Sequence, residues 1–228
     1  MRRSFILFLF ALTLTGCNIQ RNMLYYPSSY LPSPEALAAH NLAFWPHGPG
    51  DYRGLTSAMQ AGKHRGTIVV FHGNAGTAAD RTFYLSALAP LGYRVILAEY
   101  PGYGGRKGEL GEKSFVNDAK ETVRLAYDKF GSPLFLLGES LGCGVAAAAA
   151  RESPVKIDGM ILITPWDTLL SVAKEHFSWI PVRLFLRDKY DTVGNLKASQ
   201  GRIAVIGAER DDIVPIRHAQ ALFTSLPG

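Results

Sequence analysis

The sequence predicts an α/β fold: a mostly parallel central sheet with helices on both faces. Three observations carry this. Short apolar runs recur along the chain at 67–71 (TIVVF), 94–98 (RVILA), 134–137 (LFLL), 159–163 (GMILI) and 203–206 (IAVI). They lack polar alternation, the pattern of strands buried on both faces. Between them lie stretches with helical spacing, clearest at Phe115, Ala119, Val123, Ala126 and Phe130. The chain has 228 residues, 47% of them hydrophobic, enough for one large domain and too apolar for general disorder.

Taken in order, the chain opens with Arg2 and Arg3 and an apolar run over 5–14, too short for a spanning helix of ~20 residues and suited to a signal peptide. The run ends in Leu14-Thr15-Gly16-Cys17, which resembles the bacterial lipoprotein signal. That resemblance implies removal of 1–16 and acylation of Cys17, with palmitate as an expected chain, on an exported envelope protein. Asn18 rather than aspartate after the cysteine favours the outer membrane, facing the periplasm, where the host has one. The other reading is an ordinary signal peptide with an incidental cysteine.

Residues 17–45, rich in Pro and Tyr, read as a membrane-proximal approach that packs along the domain and lets it stand off the membrane; 46–228 read as the domain proper. Within it, 55–59 reads as a strand, and 77–88 as a helix stopped by Pro90 and Gly92. Helices follow at 114–130, stopped by Gly131, and at 141–150, built of small residues. Short helices are expected at 167–177 and 181–187, and a last one at 216–226.

Composition removes several function classes. The net charge is +5, and the densest basic cluster is only Lys63-His64-Arg65, so nucleic acid is not an expected partner. The two cysteines, Cys17 and Cys143, cannot form a disulfide framework, and no Cys/His spacing suits zinc. No metal and no cofactor is implied. The glycine-rich 102–108 is not a phosphate-binding loop and reads as a shaped rim, with Tyr103 lining the site.

The chemistry concentrates at Gly138-Glu139-Ser140-Leu141-Gly142, a G-x-S-x-G motif between the strand LFLL and the alanine-rich helix. A serine on that sharp turn projects its hydroxyl above the sheet, and the glycines leave room for neighbouring backbone. The N–H of Leu141, opening the helix, points toward a developing oxyanion. The competing reading is a helix-capping serine. A second element, His72-Gly73-Asn74-Ala75-Gly76, follows the strand TIVVF directly.

With FHGNAG (71–76), EYPGYGG (99–105), GESLG (138–142) and RDDIVP (210–215), the chain from about Tyr25 onward resembles the α/β-hydrolase superfamily. Within it, the match is to the small serine-aminopeptidase-like and prolyl-oligopeptidase-like branch. The resemblance implies Ser140 as nucleophile and the backbone N–H of Asn74 as the other oxyanion donor, with His72 as a structural hydrogen-bonder. It implies Asp211 as the acid that orients a histidine, ahead of its neighbour Asp212 and of Asp167 after the strand GMILI.

The family's order is serine, acid, histidine, with the histidine after one more helix and strand. After Asp211 the sequence has only His218, expected at the start of a helix as a surface or capping residue. The last strand and the catalytic histidine are thus expected to be missing, through truncation or decay, leaving IAVI as an apolar edge. Two readings follow. One is a membrane-anchored serine hydrolase acting on an ester, thioester or amide, its partners a small acyl substrate or peptide and the membrane; an acyltransferase would use the same residues. The other is a non-catalytic envelope lipoprotein on the same scaffold. The stripe Phe177, Trp179, Ile180, Phe185 and Tyr190 is either an apolar acyl pocket or ordinary core.

Overall fold

The computed structural model describes residues 20–58, 62–197, 199 and 201–226, so the signal segment and Cys17 lie outside the described residues. Seven strands form one sheet: β2 (Leu42–Pro46), β3 (Tyr52–Ser57), β4 (Gly66–Phe71), β6 (Tyr93–Ala98), β7 (Leu134–Glu139), β8 (Gly159–Ile163) and β9 (Arg202–Ile206). Their order is β2-β3-β6-β4-β7-β8-β9. The β2-β3 and β3-β6 pairs are antiparallel, and β6, β4, β7, β8 and β9 run parallel. A small parallel pair, β1 (Tyr26–Pro27) and β5 (Ala75–Gly76), stands outside it.

The apolar runs become strands because each can bury both faces. Along β4, Val69 and Phe71 enter one core with α3 (Glu112–Phe130) and α4 (Leu141–Arg151). Ile68 and Val70 enter the opposite core with Leu37 of α1 (Pro34–Ala39) and Tyr84 and Leu85 of α2 (Phe83–Leu88). The period of two along a strand produces this division. Beyond β8 the chain forms α5 (Leu169–His176), the short α6 (Thr192–Leu196), β9 and α7 (Ile216–Thr224).

Two helices differ from expectation. The stretch 77–88 breaks into a 3-10 turn, Ala78–Arg81, and then α2. The stretch 181–187 yields only a 3-10 turn, Val182–Leu184. An isolated short helix is unstable without packing, and Leu184 and Phe185 face solvent there. The approach segment is built into the domain over its described part: Tyr25 and Trp45 are buried, and Leu42–Pro46 is a strand of the main sheet. Its neighbour β3 runs from Tyr52 to Ser57. The strand IAVI lies at a sheet edge, paired to β8 on one side, with Ile206 exposed.

Candidate active site

Ser140 sits at the junction of β7 and α4 with φ 51° and ψ −114°. A left-handed φ is strained for a residue with a Cβ, and persists where surrounding structure enforces it. The Ser140 N–H donates to the Ile163 carbonyl at 2.9 Å, and the Cys143 N–H donates to the Ser140 carbonyl at 2.9 Å. Both flanking glycines answer to close approach. A Cβ at Gly142 would lie 2.0 Å from the Phe71 carbonyl oxygen, and one at Gly138 would lie 2.6 Å from the Cys143 backbone. A capping role is not observed, since the Ser140 side chain makes no cap hydrogen bond to its helix.

The parallel strands β4 and β7 deliver the two expected oxyanion donors to the same edge of the sheet, on Asn74 and Leu141. Leu141 opens α4, so its N–H has no intrahelical acceptor. Neither that N–H nor the Asn74 N–H has a hydrogen-bond partner among the described residues. The Asn74 carbonyl is engaged twice, by the Tyr26 N–H at 2.9 Å and the Tyr103 hydroxyl at 2.7 Å. Its side-chain amide donates to the Leu24 carbonyl at 3.0 Å. The turn is therefore clamped from three sides, leaving its N–H available.

Tyr103 is fully buried and braces the turn, so it does not line a rim. His72 is also buried: its Nε2 lies 2.9 Å from Glu99 Oε1, and its Nδ1 2.7 Å from the Gly73 carbonyl oxygen. Glu99 Oε2 accepts from the Ala78 N–H at 2.9 Å. Arg106 donates to the Glu99 carbonyl and grips Asp118 with two bonds of 2.8 Å. His72 is thus the inner end of a polar scaffold. Sequence reasoning missed Glu99, Arg106 and Asp118, and also the pairing of Glu139 with Arg81 and Tyr84 beside the serine.

Asp211 Oδ1 accepts from the N–H groups of Ile213 at 2.9 Å and Val214 at 2.8 Å. Its Oδ2 has no partner among the described residues. Asp212 is exposed. Asp167, by contrast, has a histidine: its Oδ1 lies 2.8 Å from His218 Nδ1, while His218 Nε2 lies 3.1 Å from Glu175 Oε2. Burial alone would raise the Asp167 carboxyl, but hydrogen bonds from Ser171 and His218 outweigh it and hold it below the usual range. His218 is 6% exposed, so it is an interior residue and not a surface one. The expectation failed because its partners come from the distant α5 region. All six histidines of the sequence fall among the described residues, and none is hydrogen-bonded to Ser140. The aromatic stripe divides as well: Tyr190 is core, Trp179 and Phe185 are exposed, and Phe177 and Ile180 line a small cavity of about 300 Å³.

The family model described as serine aminopeptidase, S33, matches residues 62–187, more than half of the chain. The chain belongs to the serine aminopeptidase S33 family. Residues 1–18 match the prokaryotic membrane lipoprotein lipid attachment site, which includes Cys17. Among relatives, an uncharacterized protein of Mycobacterium tuberculosis is 29% identical over 209 residues, 89% of this chain and 74% of that protein. The lysophosphatidylserine lipase ABHD12 of Danio rerio is 27% identical over 175 residues, 68% of this chain and 46% of the lipase. The S33 chain thus spans about half the length of that lipase. The Pyrococcus furiosus esterase Pf2001 superposes with a TM-score of 0.61 at 16% identity, covering 89% of this chain and 83% of the esterase. That likeness shows the α/β-hydrolase fold.

Proposed function

We propose that this S33-family chain is a lipid-anchored serine hydrolase that cleaves a carboxylic ester, thioester or amide through an acyl-enzyme on Ser140. The observation that carries the reading is the Ser140 backbone, at φ 51° and ψ −114°, with the Asn74 and Leu141 N–H groups unpartnered among the described residues. Ser140 Oγ attacks the acyl carbon, and the resulting oxyanion accepts hydrogen bonds from the N–H groups of Asn74 and Leu141. Each such donor contributes ~3 kcal/mol to the transition state. The leaving group departs with the proton lost by Ser140 Oγ, leaving a serine ester, and water then adds to that ester, releasing the carboxylic acid and restoring the Ser140 hydroxyl. Asp211, whose Oδ1 fixes its own turn and whose Oδ2 has no partner among the described residues, is the proposed acid that would orient a histidine base. The attachment-site match and the lipases and esterases among the relatives support an acyl substrate drawn from lipid, with Cys17 acylated.

One observation favours a second reading. No histidine is hydrogen-bonded to Ser140 among the described residues, and both ring nitrogens of His218 are engaged elsewhere. A serine hydroxyl is a weak nucleophile without a base, which suits a non-catalytic lipoprotein on the hydrolase scaffold.

Fluorophosphonate labelling of the full chain, read by intact mass beside Ser140→Ala, separates the two. A mass gain that depends on Ser140 supports the hydrolase. Folded protein that stays unlabelled overturns it in favour of the scaffold.

A further inference from the structure

Between α5 and α6, three large side chains face solvent: Trp179 is 81% exposed, Leu184 78% and Phe185 46%. Exposed apolar clusters of this kind mark contact surfaces. Exposed cations, Lys174, Arg183 and Arg187, flank them, and none forms an ion pair among the described residues. Lys174, Phe177, Ile180, Val182 and Arg183 line an open depression in the surface of this turn. Apolar and aromatic side chains flanked by cations without an ion pair among the described residues suit the boundary between acyl chains and anionic headgroups.

The far end of this segment is fixed to the domain. Asp188 accepts from the Tyr25 hydroxyl at 2.7 Å and the Glu112 N–H at 3.1 Å. Glu112 in turn accepts from the N–H groups of Lys189 at 2.6 Å and Tyr190 at 3.0 Å. Gln20 docks at the same place: its Oε1 accepts from the Arg187 N–H at 2.7 Å, and its Nε2 donates to the Asp188 carbonyl at 3.1 Å. From Gln20 back to Cys17 the chain is three residues long, a reach of at most ~11 Å. The described chain thus begins against Arg187 and Asp188, the C-terminal end of the exposed apolar segment.

We propose that residues 177–187 are a membrane-docking surface. Trp179, Leu184 and Phe185 enter the interface of a bilayer that contains anionic phospholipid, and Lys174, Arg183 and Arg187 meet its phosphates. This inference rests on acylation of Cys17 and is independent of Ser140 chemistry. The occupant is a bilayer because Gln20, three residues from Cys17, is bound at this segment's end, and because Lys174, Arg183 and Arg187 form no ion pair among the described residues. The parallel strands β7 and β8 deliver Ser140 and the start of the chain leading into this segment to the same edge of the sheet.

Tryptophan fluorescence tests the proposal, since Trp45 and Trp166 are buried and Trp179 is the accessible indole. The full chain is purified, its mass read for acyl groups on Cys17, and reconstituted into vesicles of phosphatidylethanolamine and phosphatidylglycerol with brominated acyl chains. The expected result is a blue shift and bromine quenching of the Trp179 emission. Both should be absent in Trp179→Phe, and reduced in an Arg183→Glu/Leu184→Asp variant that remains anchored. An acylated chain whose Trp179 stays unquenched overturns the docking surface and leaves the lipoprotein reading standing. So does a Trp179 shielded in a dimer, seen by light scattering, which would make a second copy the occupant. A chain without acyl groups on Cys17 overturns the anchor, and the proposal with it.

Discussion

Asp167 Oδ1 lies 2.8 Å from His218 Nδ1, joining the start of the α5 region to α7 across 51 residues of sequence. Glu175 closes the other side of the ring at 3.1 Å and is held in turn by Arg217 Nε at 2.8 Å. His218→Ala removes the ring and leaves two carboxylates facing a void. The expected cost is ~2–3 kcal/mol, from the unsatisfied polar groups left behind. Urea unfolding of the variant beside wild type measures it, and an unchanged midpoint would make the clasp idle.

The same clasp sets a pH dependence. Hydrogen bonds from Ser171 and His218 overcome the effect of burial and hold the Asp167 carboxyl below its usual range. A carboxyl depressed in the folded state stabilises fully above the unfolded value, ~3.9, and its contribution is lost as pH falls through the folded value. The stability difference between wild type and Asp167→Asn should therefore be level above about pH 5 and shrink below about pH 4. A difference that stays flat in acid counts against the pairing.

Gly142 has no room for a methyl group, since a Cβ would sit 2.0 Å from the Phe71 carbonyl oxygen. Gly142→Ala must push α4 away from β4, at an expected cost above ~3 kcal/mol. Gly48, where an added methyl would meet nothing within 4 Å, serves as the control. Thermal unfolding should show a large fall for the first substitution and almost none for Gly48→Ala.

Ser140 holds a φ of 51° that glycine would adopt without strain. Ser140→Gly is expected to stabilise the fold by ~1 kcal/mol, the low end for a strained backbone position. It should also remove all fluorophosphonate labelling. A destabilised Ser140→Gly would show that the turn is not strained.

Tyr103 supports the Asn74 turn through one hydrogen bond of 2.7 Å. Tyr103→Phe keeps the ring among His72, Tyr100 and Phe115. The expected loss is ~1 kcal/mol of stability, together with slower Ser140 labelling as the Asn74 N–H loses its fixed direction. Labelling at the wild-type rate would separate Tyr103 from the site.

Some of this was legible in the residues alone. The strand at 159–163 has the observed bounds because its wholly apolar run can only be satisfied between two covering layers. The turn at Ser140 was legible because glycines on both sides of a serine, set between a strand and a helix, meet a local steric demand. The role of Tyr103 was not, since its partner lies 29 residues away. The aromatic stripe was ambiguous for a related reason: Tyr190 and Trp179 have similar apolar character, and only their neighbours decide which is core.

The sequence by itself determined the α/β order, the strained serine turn and the attachment signal, because each is written in neighbouring residues and enforced by local sterics or periodicity. The tertiary structure decided what long separations hide. It buried His218 between two carboxylates, clamped Asn74 from three sides and set Gln20 against Asp188, 168 residues away. Such contacts form when the sheet brings distant segments to one edge, where the energy of burial and of paired polar groups outweighs the entropy of closing the loops between them.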